Sequence, residues 1–156
     1  MLNRRALTLA LGLTATFGFS TASFAQEIYI PLVSKGFQHQ FWQAVKQGAE
    51  QAGKDLKVKV SFEGPETEAM VDKQIDMLSA ALAKKPQAIG FAALDSKAAI
   101  PLLKKAQAAK IAVVAFDSGV DSDIPVTTAT TDNKAAAALA ADKMAELIGK
   151  AGEVAV

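Results

Sequence analysis

Segments typical of β-strands and of α-helices alternate along this chain, and this alternation limits the possible folds more than any other feature. Short apolar runs favour strands at 27–34, 57–62, 88–93, 111–116 and 126–130. Amphipathic or Ala-rich stretches between and after them favour helices at 40–55, 66–85, 96–110 and 133–150. A repeat of strand and helix about every 30 residues is typical of βαβ units. The sequence therefore predicts an α/β fold, a parallel sheet with helices on both faces.

The first 25 residues do not fit this alternation. A basic start, "MLNRR", is followed by the apolar run "ALTLALGLTATFGFS" and by the small residues of "SFAQ". This is the pattern of a secretory signal peptide, with cleavage expected after Ala25. A membrane anchor is the alternative, but the run is shorter than the roughly 18 to 20 apolar residues that a span needs. We expect export to the periplasm of a Gram-negative cell.

Composition argues against several classes of function. Without Arg4 and Arg5 the chain has 15 Lys against 16 Asp and Glu, and no Arg at all, so no nucleic-acid partner is expected. The chain has no Cys and a single His, His39, which argues against a metal site or another cofactor. The glycine-rich nucleotide motifs and G-x-S-x-G are absent from the sequence, and we do not expect an enzyme.

Polar residues follow nearly every predicted strand, at the edge where parallel sheets bind ligands. Asp95 and Asp132 each precede a predicted helix, and both are expected to cap those helices. Asp117 is followed by Ser118, Gly119 and a turn-rich loop, so capping explains it less well. A carboxylate there can accept two hydrogen bonds from adjacent hydroxyls of a ligand, and Ser118 is a second candidate contact.

The stretch "SKGFQHQFW" after the first strand holds the only Trp and the only His of the chain. A sugar presents hydroxyls at its edge and a weakly apolar C–H face, which polar groups and aromatic rings respectively bind. We expect at least one of the two rings on the predicted helix, Phe41 or Trp42, to pack against the sheet instead. The candidate sugar site comprises Ser34, Phe37, Gln38, His39, Phe41, Trp42, Asp117 and Ser118.

These segments together resemble a known family. The signal peptide, the aromatic loop leading into "VKQGAEQAG", the run "AIGFAALDSKAAIPLLKKAQAAKIAVVAFDS" and "TTATTDNKAAAALAADKMAEL" resemble the ribose-binding-protein-like (type I) periplasmic sugar-binding proteins of ABC transporters. The resemblance implies two α/β lobes that close on a sugar and dock on a membrane permease. It also implies ligand contacts from His39, Phe41, Trp42 and Asp117. Ser118 stands where the family often has Arg, which argues against assuming ribose.

The same resemblance implies a division of the chain. Residues 26–131 would form the N-terminal sugar-binding lobe, and 132–156 would begin a second lobe that the sequence leaves incomplete. We expect weak binding or none from such a truncated chain, and a monomer at full length. A periplasmic receptor that senses ligands for chemotaxis or quorum-type signalling is the alternative function. A sugar-responsive repressor would need a basic helix-turn-helix where the signal peptide stands.

Overall fold

The computed structural model describes residues 27–155, so the predicted signal peptide at 1–25 lies outside the described residues. The described part contains five strands and four helices, which alternate except that β5 follows β4 without a helix between them. They are β1 (Tyr29–Val33), α1 (Gln40–Leu56), β2 (Lys59–Glu63), α2 (Val71–Ala83), β3 (Ala88–Phe91), α3 (Ile100–Ala108), β4 (Ala112–Phe116), β5 (Thr127–Ala129) and α4 (Asn133–Leu147). The predicted α/β class is confirmed.

The strands form one parallel sheet in the order β2-β1-β3-β4-β5. The chain runs outward from β1 to β2 and then continues on the other side of β1 with β3. The neighbours β1 and β3 therefore mark the point where the strand order reverses. In open parallel sheets, ligands bind outside the carboxyl ends of the strands at such a point.

Alternate residues of the strands build a core on each face of the sheet. On one face, Leu78 of α2 and Leu103 of α3 pack with Val33, Phe91 and Val113 of the strands. On the other face, Trp42 of α1 packs with Phe62 of β2 and with half-buried residues that include Leu32 and Phe116. Helices thus cover both faces of the sheet, as predicted.

Two helices begin later than predicted. Helix α2 begins at Val71 instead of residue 66, because the segment before it forms a turn in which Glu68 accepts a hydrogen bond from Trp42. Helix α3 begins at Ile100 instead of residue 96. Its second residue is Pro101, which fits a first helical turn but would remove a backbone hydrogen bond from the interior of a longer helix.

Helix α1 also differs from the prediction in the face that it buries. The spacing of Phe41, Val45, Ala49 and Ala52 predicts a face that contains Phe41. In the structure the buried residues are Trp42 and Gly53, with Val45 and Ala49 half-buried, so the helix is rotated by about one residue. Gly53 allows this approach, since a Cβ there would lie 3.0 Å from the Val60 side chain.

Helix α4 has no buried residue. Among the described residues, no helix combines the length and apolar character required to cross a bilayer.

Candidate functional site

The carboxyl ends of β4 and β5 and the first two turns of α1 border a small, open cavity of about 360 Å³. Its walls combine apolar and polar groups on the edge predicted to bind ligand. The lining residues are Phe41, Val45, Phe116, Asp117, Ala129, Thr130 and Thr131. Two of the predicted site residues, Phe41 and Asp117, therefore share one cavity although 76 positions separate them in the chain.

The backbone at the end of β4 fixes Asp117. The residue adopts a left-handed φ of 58°, a conformation that Asp tolerates better than most residues. Its N–H donates to the Ala129 carbonyl at 2.9 Å, and its carbonyl accepts from the Thr130 hydroxyl at 2.8 Å. These two bonds tie the ends of β4 and β5 together and turn Asp117 out of the strand.

The carboxylate of Asp117 has two partners. Ser118 Oγ donates to Asp117 Oδ2 at 2.9 Å, and the same oxygen lies 2.8 Å from Lys35 Nζ. Both side chains of the ion pair are partly exposed, at 22% for Lys35 and 29% for Asp117. A ligand can therefore reach a carboxylate and an ammonium group that lie side by side.

Lys35 is the residue of this site that the sequence reasoning did not select. It lies in the predicted aromatic stretch, between Ser34 and Gly36, but a lone Lys in a loop is ordinarily a solvated charge. The signal available in the sequence was its position directly after the first strand, on the same sheet edge as Asp117. Only the pairing of β1, β3 and β4 brings the two residues into contact.

The two aromatic residues at the start of α1 have different environments. Trp42 is 1% exposed, and its Nε1 donates to Glu68 Oε1 at 2.8 Å. Phe41 is 47% exposed, and its ring meets the Trp42 ring edge to face at a centroid distance of 4.8 Å. Phe116 contacts Trp42 in a similar geometry at 6.3 Å. The Phe41 ring thus lines the cavity, and the buried Trp42 ring packs against it.

Ser34 holds the loop after β1 in place. The residue is fully buried, its N–H donates to Glu63 O at 2.8 Å, and its hydroxyl donates to Gly36 O at 2.7 Å. Gly64 approaches this hydroxyl so closely that a Cβ there would overlap it. In this conformation the Ser34 hydroxyl stabilises the loop through its hydrogen bond to Gly36 and is not exposed to solvent.

The remaining predicted residues of the stretch lie on the surface. His39 caps α1, since its Nδ1 accepts from the Phe41 N–H at 3.1 Å. Phe37 lies beside α1, with Lys46 Nζ 5.2 Å from its ring centroid, and does not line the cavity. Gln38 is exposed between them. The structure therefore brings Phe41, Asp117 and Ser118 together and leaves Phe37 apart.

Of the two predicted helix caps, Asp132 is confirmed, whereas Asp95 does not cap α3, whose N-cap is Ala99 without a side-chain hydrogen bond. Asp132 accepts from the Ala135 N–H at 2.9 Å at the start of α4. Asp95 accepts from the N–H groups of Lys97 and Ala98, both at 2.8 Å, and so caps the turn that leads into α3. These two hydrogen bonds lower the pKa of the Asp95 carboxyl below its usual value of 3.8.

Within residues 27–155, His, Asp and Glu side chains do not form a group of three or more that can hold a metal ion. The chemical groups that line the cavity are the Asp117 carboxylate, the hydroxyls of Thr130 and Thr131 and the rings of Phe41 and Phe116, and the Lys35 ammonium group contacts this carboxylate.

Comparison with known proteins identifies the family of this fold. Residues 30–156 match the family described as "Periplasmic binding protein domain". The D-apiose import binding protein of Actinobacillus succinogenes is 27% identical over 150 residues, which are 96% of this chain and 46% of that protein. The resemblance noted from the sequence is thereby confirmed.

Solved structures agree with this match. A carbohydrate transporter solute binding protein of Agrobacterium radiobacter, in complex with D-arabinose, is 38% identical with a TM-score of 0.72, over 80% of this chain and 42% of that one. A protein of Brachyspira murdochii, described as an ABC transporter and LacI family transcriptional regulator, is 44% identical with a TM-score of 0.74, over 79% and 40%. This chain spans less than half the length of each of these relatives. It belongs to the family of periplasmic binding protein domains.

Proposed function

We propose that this chain is the N-terminal lobe, residues 26–131, and the beginning of the second lobe of a sugar receptor for an ABC-type import system. The receptor binds a monosaccharide or a related polyol and delivers it to a membrane permease. It acts in the periplasm as a monomer, after cleavage of the leader, with neither a nucleic-acid partner nor catalytic activity.

One observation carries this proposal. The exposed Phe41 ring and the Asp117 carboxylate line the same cavity at the carboxyl ends of parallel strands. An aromatic ring covers the C–H face of a sugar, and a carboxylate accepts hydrogen bonds from two adjacent hydroxyls. The polar groups are few and are held in place by the backbone. This is expected of a site in which polar groups fix the orientation of the bound ligand and so give specificity.

The ion pair gives the site both donors and acceptors. Asp117 accepts from ligand hydroxyls, while the ammonium group of Lys35, 2.8 Å away, donates to a ligand oxygen. The hydroxyls of Ser118 and Thr130 donate their protons to Asp117 and can therefore accept from the ligand. A neutral polyhydroxylated ligand satisfies this mixture better than an apolar or a purely anionic one.

The other predicted residues take supporting parts in this proposal. Trp42 holds the Phe41 ring in position, and Ser34 and His39 fix the loop and the start of α1. Phe37 and Gln38 are exposed on the loop before α1, outside the cavity, and can contact only a ligand that extends beyond it. The names of the relatives, a D-apiose import protein and a D-arabinose complex, support a sugar ligand.

Thermal unfolding of the chain with and without D-apiose or D-arabinose tests the proposal. A ligand at 100 times its Kd stabilises the folded state by about 2.7 kcal/mol, which raises the Tm by several degrees. We expect the shift to disappear in Asp117→Ala and to persist in the matched control Asp142→Ala, whose position on α4 is exposed.

A panel of pentoses, hexoses and polyols extends the same measurement. If none of them raises the Tm of this chain or of a longer chain that carries the second lobe, the sugar-binding proposal is wrong. A shift of equal size in Asp117→Ala would place the ligand elsewhere on the lobe.

A further inference from the structure

A glutamine lies inside the apolar core next to the site. Gln74 is 1% exposed, on the same buried face of α2 as Leu78 and Ala81. Burying an amide side chain destabilises a fold unless hydrogen bonds replace those lost to water. The contacts of Gln74 therefore indicate what this side chain does in the fold.

Three hydrogen bonds connect Gln74 to two neighbouring strand ends. Its Nε2 donates to Ser34 O and to Ala92 O, both at 2.8 Å, and its Oε1 accepts from the Leu94 N–H at 3.0 Å. Ser34 follows β1, and Ala92 and Leu94 follow β3. The amide thus joins the two loops at the point where the strand order of the sheet reverses.

Ser34 connects the hydrogen bonds of Gln74 to the ion pair beside the cavity. With its carbonyl bound to Gln74, its N–H bound to Glu63 and its hydroxyl bound to Gly36, Ser34 cannot shift without breaking a buried hydrogen bond. The next residue is Lys35, whose Nζ lies 2.8 Å from Asp117 Oδ2 and 5.8 Å from the centroid of the Trp42 ring.

We propose that Gln74 is a positioning residue of the candidate site. It does not line the cavity; it fixes Ser34 and so holds the Lys35 ammonium group against Asp117. The value of that placement for sugar binding rests on the proposed function, whereas the placement itself can be measured without any sugar.

The fluorescence of Trp42, the only Trp of the chain, reports on the Lys35 ammonium group near its ring. Gln74→Leu keeps a similar volume and removes all three hydrogen bonds. We expect it to shift the emission maximum of the folded chain. The control Leu78→Val alters the same buried face of α2 but takes no part in the three hydrogen bonds of Gln74, and we expect the wild-type emission from it.

The same substitution in a Lys35→Met background separates positioning from a general structural effect. Without the ammonium group, Gln74→Leu is expected to leave the Trp42 emission as it is in Lys35→Met alone. An equal shift in both backgrounds, or a similar shift in Leu78→Val, would overturn the proposal.

Two further measurements cover the case in which Gln74→Leu does not fold. Gln74→Met keeps the length of the side chain without a buried charge and cannot donate to Ser34 O, so we expect the Lys35-dependent shift of emission again. In the wild-type chain, NMR should detect slowly exchanging amide protons of the Gln74 side chain close to the Ser34 backbone. Rapid exchange of those protons would contradict the proposal.

Titration with D-arabinose tests whether the position of the Lys35 ammonium group affects sugar binding. At a temperature where both proteins are folded, Gln74→Leu is expected to raise the Kd about tenfold, since it leaves buried backbone groups unpaired beside Lys35. An unchanged Kd overturns the positioning role. If neither the wild-type chain nor a longer chain that carries the second lobe binds a sugar, the proposed function fails, and the emission experiment still decides the role of Gln74.

Discussion

At the scale of single residues, adjacent side chains in this chain have opposite roles. Trp42 and Phe41 are neighbours in sequence, yet one is 1% and the other 47% exposed. Successive residues of a helix point about 100° apart, so packing one ring against the sheet turns the other toward solvent. The sequence predicts that at least one of the two rings packs inward, but their neighbours in space decide which.

This difference predicts separate effects of the two substitutions. Trp42→Ala should lower the free energy of unfolding by about 3 to 5 kcal/mol, as is typical when a buried aromatic side chain is removed. Phe41→Ala should cost about 1 kcal/mol, mainly through its edge-to-face contact with Trp42, and should weaken sugar binding. Urea denaturation and a sugar titration measure the two effects. Equal losses of stability would contradict the assignment of Trp42 to the core and Phe41 to the cavity.

At the scale of elements, hydrogen bonds between near neighbours follow from local sequence, and the boundaries of the helices do not. Asp132 caps α4 as the sequence predicts, whereas Asp95 accepts from the N–H groups of a turn and α3 begins only at Ile100. The late start of α2 depends instead on the contact between Glu68 and Trp42, residues of different elements.

The cap at Asp95 predicts a dependence of stability on pH. Hydrogen bonds from Lys97 and Ala98 lower the folded-state pKa of Asp95 below 3.8, so the charged carboxylate stabilises the folded chain above pH 3.8. That contribution is lost as the pH falls through the lowered pKa. Asn keeps the acceptor oxygen of the cap but carries no charge.

Urea denaturation of the wild type and of Asp95→Asn over a pH series tests this cap. We expect the wild type to be more stable at neutral pH, and the difference to shrink as the pH falls below 3.8. A difference that stays constant into the acid range would show that the charge of Asp95 does not contribute.

At the scale of the whole molecule, the described residues divide into a packed lobe and an exposed helix. Helices α1, α2 and α3 each pack on the sheet, whereas α4 buries no residue. Leu103 of α3 is fully buried, and Leu139 of α4 is 70% exposed. Stability is therefore expected to come from the sheet and the first three helices.

The same substitution in both helices tests this division. Leu103→Ala should cost about 2 to 5 kcal/mol, because it removes buried methyl groups and leaves a cavity. Leu139→Ala should change the free energy of unfolding by less than about 0.5 kcal/mol, as is usual for an exposed position. Comparable losses in the two variants would mean that α4 packs on the lobe in solution.

The sequence by itself determined the alternation of strands and helices, the parallel sheet, the cap of α4 and the placement of Asp117 at the carboxyl edge of the sheet. These features depend on residues that are near one another in the chain or on rules common to all parallel sheets. The prediction of the two lobes, with a boundary after residue 131, stays a prediction.

Only the tertiary structure decided which residues meet: the pairing of Lys35 with Asp117 and the burial of Ser34 and Trp42. It also decided the hydrogen bonds by which Gln74 joins the loops after β1 and β3. Each of these features depends on contacts between segments far apart in sequence, as between β1 and the end of β4. Strand order and the rotation of each helix select such contacts, because packing and buried hydrogen bonds must be satisfied at the same time.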